Sequence, residues 1–128
     1  AQKYIIGDLV KYKVGGLEFI AEITNTSKYG YCFKGVSDDI SGTLCKEFAK
    51  DIPLTTEILE KNGWKNDGDD WYKLPTKRAY LYITKDITTL GEFLVCVGLD
   101  RHNLASINFV HQLQHLLFGL GLNSEMEV

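Results

Sequence analysis

Residues 107–120 read INFVHQLQHLLFGL, and this stretch decides the C-terminal part of the fold. At about 100° per residue, its apolar side chains share one arc roughly 120° wide, which is typical of a helix docked on a core. The members of this arc are Phe109, Val110, Leu113, Leu116, Leu117 and Leu120. The polar residues of the opposite side are Asn108, His111, Gln112 and His115. The sequence therefore predicts an amphipathic helix with an imidazole and amide face.

Gln114 is the unusual residue of this helix, because it lies only about 40° from Val110 on the helical wheel. A buried amide must be hydrogen-bonded. One interpretation is a bond to strand or loop backbone that orients the helix, and the other is an amide that contacts a ligand. We therefore treat Gln114, His111 and His115 as candidate ligand-binding residues.

His111 and His115 have the i, i+4 spacing that lets two imidazoles share one metal ion. In the zinc-protease pattern a glutamate directly follows the first histidine as general base. Here that residue is Gln112, which cannot take a proton, so this chemistry is excluded. A plain zinc site would need further ligands, from His102 or a cysteine. We expect no metal and no cofactor, and a solvated or partner-facing surface instead.

Residues 8–36 predict a three-stranded meander. Apolar and lysine side chains alternate over 10–14, Gly15-Gly16 supplies a turn, and apolar residues recur at every second position of 17–24. A third strand is expected to place three rings on one face, namely Tyr29, Tyr31 and Phe33. Lysines interleave with these rings as in base-stacking platforms, but a strand with rings inward gives the same alternation. The net charge of −3 favours the core interpretation.

The middle of the chain contains one segment of ambiguous secondary structure and one clearly predicted helix. Residues 43–52 fit either a strand or a turn of helix, and a strand would complete a small SH3-like barrel. Pro53 ends this region. Thr55 as N-cap and Gly63 as C-cap predict a short helix over 56–62.

The remaining segments predict further strands. An Asp-Gly pair at 67–68, between Trp64 and Trp71, indicates a hairpin. Two more strands are expected at 79–83 and 93–97, joined through 86–91, and a polar stretch at 99–106 leads to the last helix. The predicted fold class is α+β: a small antiparallel SH3-like meander or barrel, a short helix, further strands and a C-terminal amphipathic helix.

Length and composition indicate one domain. A chain of 128 residues predicts a single domain over 1–128, with possible sub-lobes at 1–52 (β-rich) and 53–128 (α+β). Three widely spaced cysteines do not suggest a disulfide framework, so we expect a cytoplasmic protein. The chain lacks an apolar run of ~20 residues, so no membrane association is expected. The net charge of −3 argues against non-specific nucleic-acid binding.

Catalytic and ion-binding motifs are missing from the sequence. Neither a nucleophile elbow, a phosphate loop nor a dinucleotide fingerprint is present. The acidic run Asp67, Asp69 and Asp70 resembles half of a calcium loop, but it lacks the glycine and glutamate that the pattern requires. We therefore expect a solvated turn there, and a protein that is not an enzyme.

Four groups of motifs resemble a known family. They are IGDLV at 6–10, IPLT and EILEKNGW within 52–64, VHQLQHL at 110–116 and EMEV at 125–128. Together they are similar to small uncharacterised proteins common in Bacteroidales phages and prophage-bearing genomes. The resemblance implies a phage setting and supplies no activity or catalytic residue. The chain departs from the family pattern at His115, Leu116 and Leu117.

These observations lead to three hypotheses of function. The first is a non-enzymatic binding protein of phage or mobile-element type, acting on a host or virion protein in the host cytoplasm. The second is a protein that sequesters a small nucleotide signal, with four rings for base stacking: Tyr29, Tyr31, Trp64 and Trp71. The third is a zinc-dependent hydrolase built on His102, His111 and His115. A homo-oligomer through Leu116 or Phe118 is also open.

Overall fold

The chain folds into two antiparallel sheets, each with a helix in its own part of the structure. The computed structural model describes residues 3–37, 39–68, 70–75, 80–85, 92–98 and 101–128. Contacts divide the chain into two compact units. The first comprises Ala1–Pro53 and Phe109–Met126, and the second comprises Leu54–Asn108 and Glu127–Val128. The predicted α+β class is confirmed.

The sheet of the first unit has five strands in the order β4-β3-β2-β1-β5. Their bounds are β1 Leu9–Val14, β2 Leu17–Thr26, β3 Gly30–Gly35, β4 Ser41–Cys45 and β5 Ala49–Lys50. A 3-10 helix, Lys46–Phe48, separates β4 from β5. The ambiguous stretch 43–52 therefore contains both strand and helical turn. Within the described residues the sheet is open, with β4 and β5 at its edges.

The first hairpin follows the predicted alternation. Val14 pairs with Leu17 across Gly15-Gly16, and Gly15 has φ +61°, a conformation that favours glycine. The inward positions form one buried apolar cluster of Tyr4, Val10, Tyr12, Phe19, Ala21, Ile23, Tyr31 and Phe33. The prediction for Tyr29 is wrong, because it precedes β3 in a bend and is 81% exposed.

The last helix, α2, spans Val110–Gly119. Its start is later than predicted, since Ile107 belongs to a strand and Phe109 is the N-cap residue. The Gln112 side-chain oxygen accepts a hydrogen bond from Phe109 N at 3.0 Å, which satisfies a backbone donor at the helix start. Three members of the predicted arc are buried, namely Val110, Leu113 and Leu117, whereas Phe109 and Leu116 are partly buried and Leu120 is exposed.

The second unit begins with α1, Thr56–Lys61, as the capping signals predicted. Thr55 Oγ1 accepts a hydrogen bond from Ile58 N at 3.2 Å. Gly63 follows the C-cap residue with φ +88°. Short local signals were therefore sufficient for this element.

Five further strands form the sheet of the second unit in the order β10-β9-β8-β7-β6. Their bounds are β6 Lys65–Asn66, β7 Trp71–Pro75, β8 Tyr80–Lys85, β9 Phe93–Val97 and β10 His102–Ile107. The predicted hairpin joins β6 to β7, with Gly68 at φ +86°. The predicted connection at 86–91, Asp69 and Ala79 lie outside the described residues.

The polar stretch at 99–106, for which no strand was predicted, contains most of the last strand of this sheet. Residues from His102 onward form β10, which pairs with β9 through a bulge between Asn103 and Ala105. Residues 99 and 100 lie outside the described part. None of the helices among the described residues is long and apolar enough to cross a membrane.

Candidate functional site

Buried and partly buried polar side chains lie together in the first unit, between the segment before β1, the end of β5 and α2. We call them the histidine–aspartate cluster, formed by Tyr4, Asp8, Asp51, His111 and His115. Two of the predicted site residues therefore lie in one polar cluster. Their partners come from sequence positions about fifty to a hundred residues away.

Asp8 orients His115. The Asp8 carboxylate is buried, and its Oδ2 accepts hydrogen bonds from Ile5 N at 2.9 Å and from His115 Nε2 at 2.7 Å. The second hydrogen bond fixes the orientation of the imidazole ring through Nε2 and leaves Nδ1 as the nitrogen not engaged by Asp8. His115 is partly exposed, so this nitrogen belongs to a half-buried ring. The pair has the geometry of a base and its orienting carboxylate.

Asp51 forms the second half of the cluster. Its carboxylate accepts hydrogen bonds from the Tyr4 hydroxyl at 2.5 Å and from Lys3 Nζ at 2.9 Å. Burial acts to raise the pKa of Asp51, but the Tyr4 and Lys3 hydrogen bonds outweigh it and hold the pKa below its ordinary value. Burial and then the Asp51 hydrogen bond raise the pKa of Tyr4 far above its ordinary value. The ionised form of this pair is the carboxylate.

His111 is buried, and the prediction that it lies on a solvated face is wrong. Only 4% of the residue is exposed, because the segment before β1 and Asp51 cover this side of α2. Among the described residues its Nδ1 has no hydrogen-bond partner, and it lies 3.7 Å from Asp51 Oδ1. Burial lowers the pKa of His111, and the nearby carboxylates only partly oppose this effect. The ring is therefore held neutral among aromatic neighbours such as Tyr4.

Gln114 is hydrogen-bonded to backbone, as the first interpretation of this residue required. Its Oε1 accepts from Leu9 N at 2.9 Å, and its Nε2 donates to Gly7 O and Ser124 O at 3.0 and 3.1 Å. The amide thus fixes α2 against the start of β1 and the C-terminal tail. Both amide hydrogens are used within the fold, and a ligand contact of Gln114 stays a prediction.

The four predicted stacking residues are divided between the units. Tyr29 and Tyr31 belong to the first unit, where only Tyr29 is exposed. Trp64 and Trp71 belong to the second unit, where Trp64 is buried. Trp71 is partly exposed and stacks with a residue that sequence reasoning missed, Arg101. Ligand binding by these four rings stays a prediction.

Metal binding has no geometric support among the described residues. They contain no group of three His, Cys, Asp or Glu side chains that could hold an ion. His102 belongs to the second unit, and His111 and His115 belong to the first. Across the described part of the chain, no hydroxyl or thiol of Ser, Thr or Cys is hydrogen-bonded to either helical histidine.

Comparison with protein-family models, with curated proteins and with solved structures finds no match to this chain. The resemblance to phage proteins therefore stays a prediction. The functional inference rests on the contacts and exposures of the described residues.

Proposed function

We propose that this chain is a non-enzymatic binding protein that contacts a protein partner through an apolar surface of its first unit. This surface, the Ile6–Phe118 patch, comprises Ile5, Ile6 and Phe118 around His115. Ile6 is 64% exposed and Phe118 is 69% exposed. Large apolar side chains clustered on a surface are typical of interaction sites.

Two observations support a common surface for Ile5, Ile6 and Phe118. Asp8 Oδ2 is bonded both to Ile5 N and to His115 Nε2, so the turn that carries Ile5 and Ile6 lies beside the His115 ring. Phe118 lies three residues after His115 on α2, and residues at this spacing are neighbours on a helix surface. The exposure of Ile6 and Phe118, on the two segments that Asp8 joins at His115, is the observation that carries the proposal.

The hydrogen bonds below the patch make it pre-organised. Gln114 holds Gly7 O and Leu9 N, and Asp8 holds Ile5 N, so the turn bearing the apolar side chains is fixed before any partner arrives. A fixed surface loses less conformational entropy on binding. Asp8 and Gln114 support binding in this way without taking part in any reaction.

The setting of this function is also part of the proposal. The family resemblance supports a phage or mobile element, with a host or virion protein as partner and the host cytoplasm as location. The sheet order β4-β3-β2-β1-β5, with a 3-10 helix between β4 and β5, supports a relation of the first unit to SH3-like barrels.

Site-specific photo-crosslinking tests the proposal. A photoreactive phenylalanine analogue replaces Phe118, and a matched control carries it at Leu17, which is 53% exposed at the β1–β2 turn of the same unit. In host lysate we expect one discrete adduct from position 118 and none from position 17. The additional substitution Ile6→Asp should abolish the adduct, because a charge cannot replace an apolar contact.

Two results would contradict the proposal. One is the absence of a discrete adduct from position 118, and the other is the same adduct from both positions. An adduct of twice the chain mass would assign the Ile6–Phe118 patch to a homo-oligomer instead of a foreign partner.

A further inference from the structure

The second sheet has one face that combines rings and cations. Lys73 on β7 pairs with Tyr82 on one side and with Lys65 on the other. Because directly paired residues point to the same side of a sheet, these three side chains lie on the same face. Alternation along β7 and β8 adds Trp71 and Tyr80 to it. With Arg101 above them, we call this surface the Trp71–Arg101 face; it comprises Lys65, Trp71, Lys73, Tyr80, Tyr82 and Arg101.

The opposite face of the same sheet is the core of the second unit. Leu81, Ile83 and Val95 are buried there. Helix α1 covers this side, since Glu60 lies within 3.5 Å of the Tyr72 hydroxyl. The Trp71–Arg101 face is therefore the side that α1 leaves uncovered. On this face Tyr82 is buried beneath the Arg101 guanidinium, whereas Trp71 is partly exposed and Tyr80 is exposed.

Arg101 is held above this face in an unfavourable backbone conformation. Its guanidinium lies 4.3 Å from the Trp71 ring centroid and 4.8 Å from that of Tyr82. Among the described residues other than glycine, it alone has a positive φ, +52°. A bulky residue in this region costs free energy, and such residues concentrate at functional sites. The turn thus holds the Arg101 guanidinium against the Trp71 ring. The Asp67 carboxylate lies 3.6 Å from the guanidinium and partly neutralises its charge.

Lys73 and Tyr80 repeat the same combination on the neighbouring strands. Lys73 Nζ lies 3.9 Å from the Tyr80 ring centroid, and Tyr80 is 39% exposed. Exposed Lys65 adds a third cation on β6. Strands β6 to β10 contain no aspartate or glutamate, so the net charge of −3 does not describe this surface.

We propose that the Trp71–Arg101 face binds single-stranded nucleic acid. Rings and the Arg101 guanidinium provide planes on which bases stack, and the three cations provide partners for phosphates. The rings of Trp71 and Tyr80 each lie beside a cation, so this face offers a stacking partner to a base and a charge partner to a phosphate side by side. An acidic protein partner would use the cations but not the rings. This inference does not depend on the Ile6–Phe118 patch and differs from the expectation based on net charge.

Fluorescence anisotropy with a labelled oligouridine of about 12 nucleotides tests the proposal. We expect binding that weakens between about 50 and 200 mM salt, with a log–log slope near −2 for three phosphate contacts. Arg101→Gln should weaken binding about 10-fold, through lost stacking and charge. Arg101→Lys keeps the charge, so it isolates the loss of the guanidinium plane and should still weaken binding several-fold.

Matched controls lie in the first unit. Lys13→Gln and Lys34→Gln remove the same charge from exposed positions there, and we expect both variants to bind like the unaltered chain. Intrinsic fluorescence gives a second readout, because bases that stack at this face should quench the partly exposed Trp71. Trp64 is buried and provides a constant background, and Trp71→Phe should remove the quenching.

Several outcomes would overturn the inference. They are no binding of the oligonucleotide at low salt, equal losses in Arg101→Gln and Lys34→Gln, and equal affinity for a polyglutamate peptide. Binding of uridine monophosphate as tightly as of the oligonucleotide would also overturn it, since it would indicate a mononucleotide site. A loss in Arg101→Gln with an unaltered crosslink from position 118 would separate this face from the proposed protein-binding surface.

Discussion

His111 couples the stability of the first unit to pH. The groups that face it are Lys3, Tyr4, Asp8, Asp51 and His115. Because burial lowers the pKa of His111 below its ordinary value of 6.5, the unfolded chain takes up a proton at higher pH than the folded chain does. The contribution of His111 to stability is therefore full above pH 6.5 and decreases as the pH falls below it.

Asp51 acts in the same direction at more acidic pH. Its folded pKa is lowered from 3.8, so its stabilising contribution is present above that value and is lost as the pH falls through the folded pKa. The histidine–aspartate cluster thus makes the fold sensitive to acid through two groups. Asp51 adds to the effect of His111, and the His111 ring also contributes to the lowered pKa of Asp51.

The substitution His111→Leu should flatten the pH dependence of stability. Between about pH 7.5 and pH 5.5, the free energy of unfolding measured with urea should fall less steeply than in the unaltered chain. One proton accounts for at most about 1.4 kcal/mol per pH unit. The exposed His102 belongs to the second unit, and His102→Leu serves as the matched control for the loss of one imidazole outside the cluster. An unaltered slope in His111→Leu would show that the folded and unfolded pKa values are equal.

Gln114 is expected to be the most costly polar residue of α2 to replace. Gln114→Leu leaves Leu9 N, Gly7 O and Ser124 O without their partner, which should lower the free energy of unfolding by about 2–3 kcal/mol. Gln112→Leu removes the hydrogen bond to Phe109 N at the helix start, and the loss of this bond should cost about 1 kcal/mol. Equal costs in urea denaturation would contradict the orienting role of Gln114.

The β1–β2 hairpin offers a clean test of backbone conformation. A Cβ at Gly15 or at Gly16 would meet no atom within 4 Å, but only Gly15 has a positive φ, +61°. Gly15→Ala should therefore lower the free energy of unfolding by about 1 kcal/mol, and Gly16→Ala should change it by less than about 0.5 kcal/mol. Thermal or urea unfolding of the two variants gives the comparison. A similar cost in both would refute a backbone origin.

The elements that sequence predicted well are those with local signals. Thr55 and Gly63 define α1 through their own backbone contacts, and the glycine pair defines the first hairpin. Strand β10 was missed because its sequence, HNLASI, shows little apolar alternation and is a strand through its pairing with β9. Arg101 was missed for the same reason. It directly precedes β10, and its contacts with the Trp71 and Tyr82 rings depend on the pairing of β10 with β9.

At the scale of the molecule, chain averages concealed how residues are distributed. Helical spacing alone drew attention to His111, Gln114 and His115. Their partners Asp8 and Asp51 carried no comparable signal, because the contacts join residues separated by up to 107 positions. The net charge likewise gave no indication that five strands of one sheet lack acidic residues. Predictions of single elements were therefore more accurate than predictions of the sites that several elements build.

The first unit is built from two separate stretches of sequence, the first ending at Pro53 and the second beginning at Phe109. At a translation rate of about 5–20 residues per second, the ribosome needs roughly 3 to 11 s to make the segment between them. During that interval the nascent sheet has no α2, and Leu9 N and the Asp8 carboxylate lack their helical partners. Synthesis therefore imposes a waiting time in which the start of β1 is open to chaperones and proteases, and the arrival of Gln114 and His115 ends it.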